Sequence, residues 1–244
     1  MKFSSNKGFT LVELMITMAI SLLLAMAATF AYQAQVKSYV TQESVSFAQQ
    51  NLKACQVMIA DDLRLAGYNP PHSGVTIASV VSYDDPAHPI FSLANGPNLT
   101  LSFWDDAVGP TGLQRIVTYG LYNYGGACGG ADAVLDLGRT SYTTPPVPGS
   151  LAGVTFPVSE NIIRLEFQYT MSNPNGVDSI TLAPPPTRLN DIKSITVTLL
   201  SQAHRITQDT TDLNTYTTPF GTTWGPFKDG FKRRLQTFTV SIRN

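Results

Sequence analysis

A single carboxylate, Glu13, stands at the head of an otherwise apolar run, and no further charge occurs until Lys37. Leu14 to Tyr32 is long and apolar enough to cross a bilayer as a helix, which needs about 20 residues. An ionisable group in the first turn of such a span is costly unless it finds a partner, so Glu13 is the first residue from which chemistry is expected. The other candidates are weaker. Asp61-Asp62, Asp84-Asp85 and Asp105-Asp106 are paired carboxylates, but adjacent residues of a strand point to opposite faces, so such pairs seldom converge. They lack the spacing of a calcium loop, and His72, His88 and His204 are scattered without zinc-ligand spacing. No Gly-x-Ser-x-Gly elbow occurs. Gly125-Gly126-Ala127-Cys128-Gly129-Gly130 lacks the Gly-Lys-Ser/Thr ending of a phosphate cradle and reads as a flexible loop. No enzyme, cofactor or metal site is expected.

The element that positions Glu13 is a helix. From Phe9 to Ala66 there is no Gly and no Pro, and Ala, Leu, Met and Gln are frequent. After Tyr32 the pattern turns amphipathic, with Ala48, Leu52, Cys55, Ile59, Leu63 and Ala66 recurring as one stripe. Gly67 and then Pro70-Pro71 read as the stop. At 1.5 Å per residue the helix would be roughly 85 Å long.

Gly8-Phe9-Thr10-Leu11-Val12-Glu13 resembles the class III signal of the type IV pilin and pseudopilin superfamily. The resemblance implies cleavage between Gly8 and Phe9 by a prepilin peptidase that also methylates the new N-terminal Phe9. It makes Glu13 the carboxylate that guides filament assembly. A cut there would leave a cationic amine on Phe9, since a free α-amine has a pKa of about 7.7–8.0 and methylation keeps the charge. In low dielectric an amine–carboxylate pair is strong while either charge alone is penalised, so pairing with Glu13 would set the stagger between subunits. Two other readings are a plain membrane anchor and a secretory signal cut after Ala25-Met26-Ala27. The mature N-terminus separates them: Phe9, Met1 or Ala28.

The resemblance extends to the helix end. Asp62-Leu63-Arg64-Leu65-Ala66-Gly67-Tyr68 and the terminal Phe238-Thr239-Val240-Ser241-Ile242-Arg243-Asn244 are similar to PilW-type minor pilins and, less closely, to the J-type minor pseudopilin. Major pilins usually carry a kinking proline in the apolar segment; Phe30 stands near that place here. The implied role is a minor pilin that initiates or caps a type IV pilus. The alternatives are a minor pseudopilin of type II secretion and a pilus-tip subunit that binds a surface or DNA. The implied partners are the prepilin peptidase, other minor pilins, the major pilin and an inner-membrane assembly platform. The implied location is the inner membrane, single-pass with the N-terminus cytoplasmic and the remainder periplasmic, and then the pilus. Lys2 and Lys7 ahead of the span agree with that orientation.

Composition bounds the rest. The chain has 244 residues, 14% of them charged, and a net charge of −1, which points to no nucleic acid. The expected organisation is a leader at 1–8, a membrane and assembly half-helix at 9–36, and a globular domain at 37–244 carrying the rest of the helix. The fold class is α+β, with one long N-terminal helix packed on a C-terminal antiparallel sheet domain. Candidate strands are Val75–Val81, Leu99–Trp104, Arg115–Tyr122, Ala133–Leu137, Ile162–Thr170, Ser179–Leu182, Ile192–Leu200 and Leu235–Ile242. Ser201 to Gly230 reads as a long loop whose aromatics pin it to the domain or present it to a partner. Lys228, Lys232, Arg233 and Arg234 form a basic cluster, read as the solvated start of a strand. Cys55 and Cys128, in an oxidising compartment, invite a disulfide; the alternative is a buried thiol and an unrelated loop thiol.

Overall fold

The computed structural model describes residues 8–71, 73, 76–83, 97–106, 112–122, 135–144, 155–173, 176–206 and 211–242. They form two compact units, divided between Glu43 and Ser44. Helix α1, Leu11–Leu65, supplies the whole described helical part of the first and the N-terminal part of the second.

In the first unit the helix buries nothing. Leu11, Met15, Leu22, Leu23, Phe30 and Tyr32 are all exposed, as befits a surface meant for an apolar surrounding. The segment is long and apolar enough to cross a membrane. Its hydroxyls are satisfied within the helix: Thr17 donates to the Leu14 carbonyl, Ser21 to that of Thr17 and Thr29 to that of Ala25. No water is then needed to solvate them.

In the second unit the expected stripe is the buried one. Ala48, Leu52, Cys55, Ile59, Leu63 and Ala66 are each at most 2% exposed, three or four residues apart. Helix α1 stops where Gly67 takes a φ of 78° and donates its N–H to the Ser102 carbonyl. Glycine meets no Cβ penalty in that left-handed conformation.

Two antiparallel sheets complete the core. The first is a five-stranded meander of β1 (Val80–Tyr83), β2 (Asn98–Asp105), β3 (Leu113–Tyr122), β4 (Asp136–Thr144) and β5 (Thr155–Ser159), in chain order. The second contains β6 (Ile162–Met171), β7 (Ser179–Thr181), β8 (Ile192–Ile206) and β11 (Phe231–Ser241), ordered β11-β8-β6-β7. Between β8 and β11 lies a small ribbon of β9 (Tyr216–Thr217) and β10 (Thr223–Trp224), and a 3-10 turn, Pro186–Asp191, leads into β8. Leu99, Leu101, Val117, Tyr119 and Leu137 of the first sheet share one core with Leu165, Phe167, Ile195, Val197 and Leu199 of the second and with the helix stripe.

The α+β expectation holds, with corrections of extent. Helix α1 begins at Leu11 rather than Phe9, because Thr10 caps it. The first candidate strand, Val75–Val81, moves to Val80–Tyr83. The fourth runs to Thr144, because Leu137 to Thr144 pairs residue by residue with β3, and polar Thr and Ser tolerate a pleated surface. β8 runs on to Ile206, in what read as loop, because β11 pairs with it as far as Phe231. β5 was not expected; its Pro157 sits in the last strand of its sheet, where a missing N–H is tolerated.

Candidate functional site

The site begins at the helix start. Thr10 accepts the first helical bond, from the Leu14 N–H, at its carbonyl. Its Oγ1 accepts from the Glu13 N–H at 3.2 Å, while its own N–H donates to Glu13 Oε2 at 3.0 Å and its hydroxyl to the same oxygen at 3.1 Å. This is a reciprocal capping box, Thr-x-x-Glu, in which each side chain satisfies a backbone donor left over at the helix end. The carboxylate is thereby folded back over the N-terminus of α1, where a negative charge is favoured. Gly8 and Phe9 precede the box in non-helical backbone, and Phe9 is 88% exposed. Nothing lies within 4 Å of where a Cβ on Gly8 would sit, so no packing among the described residues calls for a glycine there.

The globular unit holds two charge clusters, one buried and one half-buried, that the sequence did not reveal. Arg233 and Asp212 are 2% and 4% exposed. The Arg233 guanidinium donates to Asp212 Oδ2 at 2.9 Å, to both oxygens of Asp229 at 2.6 and 2.5 Å, and to Gln202 Oε1 at 3.0 Å. It also lies 4.0 Å from the centroid of the Phe227 ring, which Arg164 approaches at 5.7 Å. Burial works against the charge on Asp212. Hydrogen bonds from Arg233, Asn214 and Tyr216 outweigh it and hold its pKa below the usual carboxylate range. The Arg233 hydrogen bond does the same for Asp229. The reading of Arg233 as part of a solvated basic cluster is therefore corrected: it is an internal anchor that ties residues 212–229 to β8 and β11.

In the second cluster, Asp62 on α1 accepts from Arg139 Nε at 2.7 Å and from the Tyr119 hydroxyl at 2.5 Å. Burial pushes the Tyr119 pKa up and the Asp62 carboxylate adds to it, so this hydroxyl stays protonated. The described carboxylate doublets do not converge. Asp61 pairs with exposed Arg64, Asp105 with Arg115, and Asp106 accepts from Trp104 Nε1. Asp84-Asp85, His72 and His88 lie outside the described residues. Among the described residues no three His, Cys, Asp or Glu side chains gather as metal ligands. Among the described residues Cys55 has no disulfide partner; it is fully buried, and burial pushes the pKa of its thiol up to about 12. Its expected partner Cys128 lies outside the described residues.

Residues 3–29 match the prokaryotic N-terminal methylation motif. The match spans Gly8, Phe9, the capping box and most of the apolar stretch, and it supports a place in the type IV pilin superfamily. Among solved structures, a type IV-like pilin from Thermus thermophilus aligns at 12% identity. The alignment covers 80% of this chain and 96% of that one, with a TM-score of 0.45. Comparison with the curated proteins finds no match.

Thr10 is the residue that the sequence reading passed over. The signal was present as Thr10-x-x-Glu13 ahead of an apolar run, the signature of a box. Asp212 and Arg233 carried no such signal, because 21 residues separate them and it takes the folded segment, in which the backbone of Asp212 bonds to Lys228 and Asp229, to bring them together.

Proposed function

We propose that the chain is a minor pilin, cut between Gly8 and Phe9, methylated on Phe9, and docked through Glu13 to start or cap a type IV pilus. Its work is structural: ordered docking of helices, without catalysis. The observation that carries the reading is the box. It holds a carboxylate in the first turn of an exposed apolar helix, four residues from Phe9, inside a matched methylation motif. Among the described residues nothing packs against Gly8, which agrees with a demand for smallness set by a peptidase. Before assembly the helix anchors the chain in the inner membrane with the globular unit outside.

Three experiments test the reading. Mass spectrometry of the mature chain should find N-methylated Phe9 at the N-terminus; Met1 or Ala28 there would refute it. Glu13→Val should leave the chain inserted and, given time, fully cleaved, but poorly recovered in sheared filaments. Deleting the gene should abolish pili; loss of exoprotein secretion instead would favour a pseudopilin of type II secretion.

A further inference from the structure

We infer that Thr10 is a positioning residue for maturation: its capping box with Glu13 fixes the start of α1 and keeps the Gly8–Phe9 bond outside the helix. This rests on the reading of that bond as the one cleaved. A peptidase acts on backbone whose carbonyl is not already engaged in a helical turn, so the place where α1 begins governs how often the bond is available. Three observations bear on that place. The helix starts at Leu11, and Gly8 to Thr10 is non-helical. The Thr10 hydroxyl and the Glu13 carboxylate satisfy each other's backbone N–H groups, at 3.2 and 3.0 Å. The sequence also offers a competing start, since Asn6 is a favoured N-cap type.

A helix begun at Asn6 would place Gly8 and Phe9 in its first turn. The position that supplies the reciprocal carboxylate would then be Phe9, which has none. The box at Thr10 wins because only there do both halves exist. Glu13 thus serves twice: as the carboxylate for assembly, and before that as the second half of the box.

The test uses the full-length chain in membranes with its prepilin peptidase. Thr10→Val keeps the shape and removes the hydroxyl. A lost cap shifts the helix-start equilibrium by about fivefold. The expected result is a rise in KM, at most of that order, at unchanged kcat, because KM scales inversely with the fraction of chains that present the bond. Thr10→Ser and Thr10→Asn, which restore a capping oxygen, should return KM to the wild-type value. In the same samples, the Gly8 and Phe9 Cα chemical shifts should move toward helical values in Thr10→Val alone. Wild-type kinetics for Thr10→Val, with the wild-type chain maturing at Phe9, would overturn the inference. A wild-type chain left uncut at Gly8 would overturn the cleavage reading beneath it.

Discussion

Replacing Arg233 by Met should release the 212–229 segment and cost the globular unit a measurable part of its stability. Arg233 is 2% exposed and donates to Asp212, Asp229 and Gln202. Removing one partner of a buried ion pair costs about 3–5 kcal/mol, because the other charge stays buried. Here Asp212 keeps the Asn214 N–H, the Asn214 amide and the Tyr216 hydroxyl, at 3.1, 2.9 and 3.0 Å, so the lower end of that range applies. Asp229 is 36% exposed and adds little, since water can solvate it. A loss of about 3 kcal/mol in a unit of this size lowers Tm by roughly 6–12 °C.

The assay is thermal and urea unfolding of a soluble fragment beginning near Gln35. Trp224 fluorescence and limited proteolysis would report on the released segment. Adding Asp212→Asn to Arg233→Met should recover much of the loss, because the uncompensated charge is gone. Acid should mimic the single variant. Both aspartates are depressed in the folded state, so their contribution is full above the unfolded carboxylate value of about 3.9 and is lost as pH falls through their lower folded values. A loss under about 1 kcal/mol for Arg233→Met, with the segment still protected, would show that the cluster behaves as a solvated surface pair and would refute the argument.

Gly8→Glu should block maturation, leaving a chain that starts at Met1, whereas normal Phe9 ends would remove the glycine from the cleavage argument. The fragment from near Gln35 should fold alone, since the whole buried stripe from Ala48 to Ala66 stays with its sheets; circular dichroism showing an unfolded chain would contradict the two-unit division. In that fragment carrying Cys128→Ser, Cys55 should resist a thiol reagent at neutral pH until denaturant is added, because burial raises its pKa to about 12. Rapid native labelling would place the thiol at the surface.

The sequence by itself determined the features that are local along the chain. Absence of Gly and Pro, an apolar run and then a stripe every three or four residues specify one helix with two different surroundings, and Gly67 ends it. The motif from Gly8 to Glu13 is one unbroken run of neighbouring residues, so its chemistry is legible without a fold. Alternation in Ile163 to Tyr169 and Ile195 to Leu199 marked the strands that face the core, since one face must be apolar. Tertiary structure alone decided what depends on partners far apart in sequence. Leu137 to Thr144 is a strand because β3 lies beside it, and β8 reaches Ile206 because β11 does. Asp62 meets Arg139 and Tyr119 across 77 and 57 residues, and Arg233 becomes a buried anchor only when Asp212 and Asp229 close over it. A lone charge in a sequence reads as solvated, because burying it is unfavourable until its partners are in place.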